Sequence, residues 1–180
     1  MRIISGKFKG RELKTPKGGK TRPTSGKVRG SVFDILQAQV EGTDFLDLFA
    51  GSGAMGIEAL SRGARHATFV EKDRIAVRAL RDNLICLKLE EETTLLSTDV
   101  FAAVKRFVKA EASFQVIYID PPYALDISPL FPQLSSILAD GGILIIEQGK
   151  KGEIAIEGLE QIQQRSFGDT ILHFFQQPSG

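Results

Sequence analysis

Asp47-Leu48-Phe49-Ala50-Gly51-Ser52-Gly53-Ala54-Met55-Gly56 decides how this chain is read. The apolar run 45–48 before it has strand character, and residues 56–62 after it have helical character. Gly51, Gly53 and Gly56 satisfy G-x-G-x-x-G between that strand and that helix. A glycine-rich turn there lets a ligand approach the backbone and aims a helix N-terminus at it. Glu71 follows Gly51 by twenty residues, at the end of the next apolar run. A carboxylate so placed can accept hydrogen bonds from both hydroxyls of a ribose. The loop and this acid suit NAD and S-adenosylmethionine equally.

Outward from the loop, strands and helices alternate. The spacing predicts strands over 45–48, 67–71, 94–97, 115–120 and 142–147, and helices over 56–62, 74–87, 101–109 and 130–138. Such alternation means a parallel, doubly wound α/β sheet. Residues 161–167 and 170–176 are strand-like and meet at Gly168-Asp169, a hairpin signal. A parallel sheet that ends in an antiparallel hairpin resembles the seven-stranded, Rossmann-like sheet of class I methyltransferases. Ahead of it, 2–8 and 11–14 read as a short basic β-hairpin, broken at Ser5-Gly6 and Gly10. A Pro/Gly/Lys linker follows over 15–21. Val28, Val32, Phe33, Leu36 and Val40 predict a helix over 25–39, weakened by Gly26 and Gly30. The α/β alternation starts near Glu41-Gly42. The expected organisation is a basic arm over 1–23 and a methyltransferase-like domain over 24–180.

Three features favour S-adenosylmethionine over NAD. Asp47 precedes the loop, where a carboxylate can meet an ammonium but repels a pyrophosphate. Ser97-Thr98-Asp99-Val100 puts another acid at the end of the third strand, placed to accept from an adenine amino group. No second domain is expected that would hold the substrate of a hydride donor. Ligands in open α/β sheets bind at the carboxyl ends of the strands, so the expected cofactor set is Asp47, Phe49, Ala50, Gly51, Ser52, Gly53, Glu71, Lys72, Asp99, Val100 and Asp120.

The fourth strand ends in Asp120-Pro121-Pro122-Tyr123. Asp120 supplies an acceptor, and Pro121 fixes its backbone so that a carbonyl can point outward. Tyr123 offers a flat face. Together they suit a planar ring carrying an exocyclic amino group, and Asp120, Pro121 and Tyr123 are the expected catalytic residues. The tetrapeptide alone does not separate adenine from guanine, or DNA from RNA.

Charge distribution points to a polyanion. Residues 1–30 hold ten basic side chains and the single acid Glu12, a net +9, in a chain of net +1. The other 150 residues therefore carry −8. A basic arm on an acidic body is a nucleic-acid footprint. Lys7, Lys9, Arg11, Lys14, Lys17, Lys20 and Arg22 are candidate phosphate contacts, joined by Thr24 and Arg29. No stretch reaches the roughly 18 apolar residues of a membrane span. The N-terminus lacks the apolar region of a signal peptide, so the cytoplasm is the expected compartment. The single Cys86 excludes an internal disulfide and reads as core packing in Leu84-Ile85-Cys86-Leu87. With it and only His66 and His173, no metal-ligand spacing exists, and no metal is expected.

Arg22-Pro23-Thr24, Val28-Arg29, the 47–53 loop, Ile57-Glu58-Ala59-Leu60-Ser61-Arg62-Gly63, Glu71, the 120–123 tip and Gly168-Asp169-Thr170 occur in that order. The chain thereby resembles the RsmD family, the bacterial 16S rRNA guanine-N2 methyltransferases, over nearly its whole length. The resemblance implies methylation of a guanine amino group in the helix 31 loop of 16S rRNA. It implies an assembled small ribosomal subunit as partner, and a monomer is expected. Members often carry an acid at the position of Gly26 and a Glu at that of Gly30, and many have Phe in place of Tyr123. The nearest rival is a DNA adenine-N6 methyltransferase, which usually carries a recognition insertion absent here. A protein glutamine methyltransferase more typically has Asn in place of Asp120. From another class, a non-catalytic RNA-binding protein on the same fold is opposed by the intact Asp120 and Glu71.

Overall fold

Alternate residues of the central strands go to opposite sides of one sheet. Phe45, Val116, Tyr118, Ile143 and Ile145 join one hydrophobic core, whereas Leu46, Ile117, Ile119, Leu144 and Ile146 join another. A period of two with both faces covered is why these strands read as unbroken apolar runs. The computed structural model describes residues 1–16, 26–149 and 153–178.

Within those residues the elements are α1 (Gly26–Leu36), β1 (Asp44–Asp47), α2 (Ala54–Ser61), β2 (His66–Val70), α3 (Arg74–Leu87), β3 (Thr93–Leu96), α4 (Val100–Lys109), β4 (Phe114–Ile119), α5 (Phe131–Ile137), β5 (Leu138–Gly149), β6 (Glu160–Phe167) and β7 (Thr170–Gln176). The sheet order is β3-β2-β1-β4-β5-β7-β6. The first five of these strands are parallel to one another. β7 runs antiparallel to β6, as the hairpin signal at Gly168-Asp169 predicts, and also to β5. Helices α1, α2 and α3 cover one face, and α4 and α5 the other. Among the described residues no helix is long and apolar enough to cross a membrane.

Three local expectations need correction. The predicted N-terminal hairpin is an isolated antiparallel bridge between Arg2 and Glu12. Its backbone turns early to bond α2, where Lys7 donates its N–H to the Ser61 carbonyl at 2.8 Å. The helix expected over 25–39 ends at Leu36 and continues as a 3₁₀ turn over 37–40, with Gln37 at φ +44°. Cys86 is exposed rather than buried. The inward stripe of α3 is Ala76, Val77, Leu80, Asn83, Leu84 and Leu87, and Cys86 falls outside that helical spacing. The boundary expected at residues 23 and 24 lies outside the described residues.

Candidate active site

The sheet order turns four sequence positions into one row. Asp99, Glu71, Asp47 and Asp120 stand at or just after the carboxyl ends of β3, β2, β1 and β4, which are consecutive strands. Acids separated by up to 73 residues in the chain thus line a single edge.

The glycine loop spans the middle of this edge. Gly53 caps α2 in the left-handed conformation, with φ +81°. A Cβ there would also stand 2.2 Å from Leu80 Cδ1, so glycine is required on two grounds. A Cβ at Gly56 would stand 2.3 Å from Phe69 Cε1, which makes the third glycine the point of close packing of α2 on β2. Gly51 donates its N–H to Glu71 Oε2 at 2.9 Å, and Asp73 donates to Glu71 Oε1 at 2.8 Å. Both carboxylate oxygens are therefore oriented by backbone, with lone pairs left for further donors. Phe49 is half-buried beside Ala50 and Ser52, which are buried.

Asp47 is fully buried, and among the described residues its Oδ2 has no hydrogen-bond partner. Burial, then the charges of Asp120 and Glu71, push its carboxyl up from the ordinary 3.8 to about 8, against backbone hydrogen bonds from Gly56 and Phe49. A buried carboxylate oxygen left unpartnered is costly unless a cation or donor completes it. The ammonium of S-adenosylmethionine supplies both. The residues present therefore fit that cofactor at the Asp47 end of the loop.

Asp99 is committed in part to the fold. It caps α4 by accepting from the Phe101 N–H at 2.9 Å, and Lys72 Nζ lies 3.6 Å from its Oδ2. The contact with an adenine amino group expected of it is compatible with this, since a carboxylate has several lone pairs. Val100, the first residue of α4, is buried. Asp120 and Pro121 are half-buried, and the chain turns at once through a 2.9 Å bond from the Leu125 N–H to the Pro122 carbonyl. The Tyr123 side chain is 83% exposed, and one ring edge lies so near Gly149 that a Cβ there would be 2.7 Å from Tyr123 Cε2.

The basic residues divide. Lys9 and Arg11 are exposed. Lys7 pairs with Glu92 at 3.0 Å and Lys14 with Asp82 at 2.9 Å, both at the surface. Arg29 is not a surface cation. It is 2% exposed, donates to the Arg2 carbonyl at 2.6 Å, and lies 3.5 Å from Glu58 Oε2. Its expected contact with RNA is withdrawn, because the side chain is buried and already held by the Arg2 carbonyl and Glu58. Arg22 and Thr24, with Lys17 and Lys20, lie outside the described residues. Among the described residues a Cβ at Gly26 meets nothing within 4 Å, and one at Gly30 only Ile4 at 3.9 Å.

Sequence reasoning missed the residues that root the N-terminal segment. Glu58, fully buried, accepts the Ile4 and Ser5 N–H groups at 2.8 and 3.0 Å. Asn83 accepts from the Lys14 N–H at 2.8 Å and donates to the carbonyls of Lys14 at 3.0 Å and Ser52 at 2.9 Å. It thus ties that segment to the glycine loop. The available signals were an acid inside the apolar run 57–60 and a polar residue on the inward stripe of α3.

A seven-stranded sheet with one antiparallel strand, a glycine loop after β1 and acids at its carboxyl edge defines a class I methyltransferase, for which S-adenosylmethionine is the methyl donor. Residues 1–176 match the family model described as Conserved hypothetical protein 95. The chain belongs to that family, which is the RsmD family its motifs resemble. It is 36% identical over 175 residues to YlbH of Bacillus subtilis, spanning 94% of this chain and 95% of that one. It is 33% identical over 180 residues to Ribosomal RNA small subunit methyltransferase D of Haemophilus influenzae, spanning 98% and 93% of the two chains. The solved structure of a hypothetical protein from Thermus thermophilus superposes with a TM-score of 0.84 at 32% identity, covering 98% of this chain and 99% of that one.

Proposed function

We infer that this chain transfers a methyl group from S-adenosylmethionine to the exocyclic N2 amino group of a guanine in the helix 31 loop of 16S rRNA. One observation carries the reading. The amino-clamping tip 120–123 stands on β4, next to the β1 edge that bears Asp47 and the glycine loop. Donor and acceptor sites are therefore neighbours. The name of the Haemophilus relative supports ribosomal RNA of the small subunit as the substrate. The exposed Lys9 and Arg11 support a polyanionic one.

The cofactor brings an already activated methyl group, so the protein's task is placement. Asp47 would hold the ammonium, Glu71 the ribose hydroxyls, and Asp99 with Val100 the adenine. The guanine amino nitrogen is a poor nucleophile because its lone pair is delocalised into the ring. Asp120 and the Pro121 carbonyl would each accept one amino hydrogen, which turns the lone pair out of the ring plane. Asp120 can then take the departing proton, directly or through water. Tyr123 would stack on the base, a contribution of about 1–3 kcal/mol. The base must be unpaired or flipped to reach this pocket. On this reading the enzyme works as a monomer, in the cytoplasm, on the assembled subunit.

The test is transfer of tritiated methyl from S-adenosylmethionine to unmodified small subunits, to naked 16S rRNA and to DNA, with the product nucleoside identified. N2-methylguanosine from the subunit is the expected product. Labelling of DNA alone, or N6-methyladenine as product, would overturn the reading.

A further inference from the structure

Tyr118 is buried in β4, two residues before Asp120, and its hydroxyl donates to Glu147 Oε2. Glu147 lies near the end of β5 and is half-buried. The parallel register pairs Tyr118 with Ile145 and Ile119 with Ile146. One further step along both strands brings Asp120 level with Glu147. Two residues beyond Glu147, Gly149 lies under the edge of the Tyr123 ring. Asp120, Tyr123 and Glu147 therefore converge on one end of the β4–β5 pair. An ionised carboxylate differs from an amide in accepting without ever donating.

That property sorts the purines. Beside its amino group guanine carries N1–H, a donor, whereas adenine carries N1 as an acceptor. We propose that Glu147, oriented by the Tyr118 hydroxyl, selects guanine by accepting a hydrogen bond from N1–H while Asp120 and the Pro121 carbonyl hold the two N2 hydrogens. Three donors on the base edge then meet three acceptors on the protein. An adenine in the same pocket would set its N1 lone pair against the carboxylate. This rests on the guanine reading above, and it assigns to Glu147 the choice of base that Asp120-Pro121-Pro122-Tyr123 does not make.

The test compares small subunits reconstituted with guanine or with 2-aminopurine at the nucleotide that the wild-type protein methylates. The analogue keeps the 2-amino group but presents N1 as an acceptor. Wild type should favour guanine by about 10²-fold or more in kcat/KM, as sites built around a hydrogen bond do. Glu147→Gln can turn its amide to donate to N1, and should cut that preference at least about tenfold with S-adenosylmethionine affinity unchanged. Tyr118→Phe, which leaves Glu147 in place but unoriented, should lower the preference as well. If wild type methylates guanine and neither variant changes the ratio, the selection by Glu147 is wrong while the guanine reading stands. If wild type methylates adenine instead, or no guanine at all, both fail.

Discussion

Gly51 donates its backbone N–H to Glu71 Oε2 at 2.9 Å, so the turn of the glycine loop and the carboxyl end of β2 are joined before any ligand arrives. With Asp73 on the other oxygen at 2.8 Å, the carboxylate is fixed at both oxygens. Glu71→Gln presents an amide NH₂ to one of these two N–H donors and strands it, at a cost of about 1–3 kcal/mol. Equilibrium binding should show S-adenosylmethionine affinity reduced by about tenfold or more, since 1.4 kcal/mol is a factor of ten. An unchanged Kd would mean that Glu71 only braces the loop.

Asp120 faces a different demand. It lies beyond the end of β4 and is half-buried, so its loss opens no core cavity. Asp120→Ala should reduce methyl transfer by about 10²-fold or more, the scale of a general acid–base group. Cofactor affinity and melting temperature should stay close to wild type. Full turnover by this variant would remove Asp120 from the chemistry.

Asp47 should make the protein sensitive to pH. Its folded-state pKa, about 8, lies above the ordinary 3.8, because of burial first and of Asp120 and Glu71 next. Between those values the folded state holds a proton that the unfolded chain releases. The resulting stability is complete below about pH 4 and is lost as pH rises through about 8. Thermal melts of the ligand-free protein from pH 5 to 8.5 should fall more steeply for wild type than for Asp47→Asn. S-adenosylmethionine binding at pH 7 should release a proton as its ammonium pairs with the carboxylate. Calorimetry in buffers of different ionisation enthalpy detects that proton. Equal pH slopes in the two proteins would show that Asp47 is already ionised.

The N-terminal segment is held by contacts that tolerate no side chain at Gly6. Its φ is +79°, and a Cβ there would stand 1.7 Å from the Ser61 carbonyl oxygen. Ser61 also accepts from the Phe8 N–H and donates to the Ser5 carbonyl. Gly6→Ala should therefore cost about 2 kcal/mol or more, the range of strained backbone and overpacking. Denaturant unfolding measures this, and a loss below about 0.5 kcal/mol, within surface noise, would mean that the segment is only loosely docked.

What the sequence discloses follows from the range of the forces involved. Strand-end acids are legible because alternation fixes where strands stop, and every parallel strand stops at the same edge. The apolar stripe of α3 is legible for the same local reason, and it would have placed Cys86 outside had its spacing been followed. Arg29 misleads because its charge counts in any tally of the arm, whereas the partner that buries it, Glu58, lies 29 residues away. Asn83 looks like an interruption of an apolar stripe. Only the tertiary fold brings Lys14 and Ser52 to it. Glu147 ends an apolar strand as many acids do, and only pairing with β4 sets it against Tyr118.

The division of the basic residues gives a final expectation. Lys7 and Lys14 are partly neutralised by Glu92 and Asp82, while Lys9 and Arg11 are exposed. Phosphate contacts release counterions, and each contributes about 0.7–0.9 to the slope of log affinity against log salt. The double variant Lys9→Ala, Arg11→Ala should weaken binding to small subunits and flatten that slope by up to about 1.8, twice the upper single-contact value. Neither side chain is buried in the core, so the melting temperature and S-adenosylmethionine affinity should not move. Deleting residues 1–16 is a poorer experiment, because it also removes the buried Ile3 and Leu13 and the backbone donors to Glu58. A salt slope in the double variant equal to that of wild type would place the RNA contact on another face of the protein.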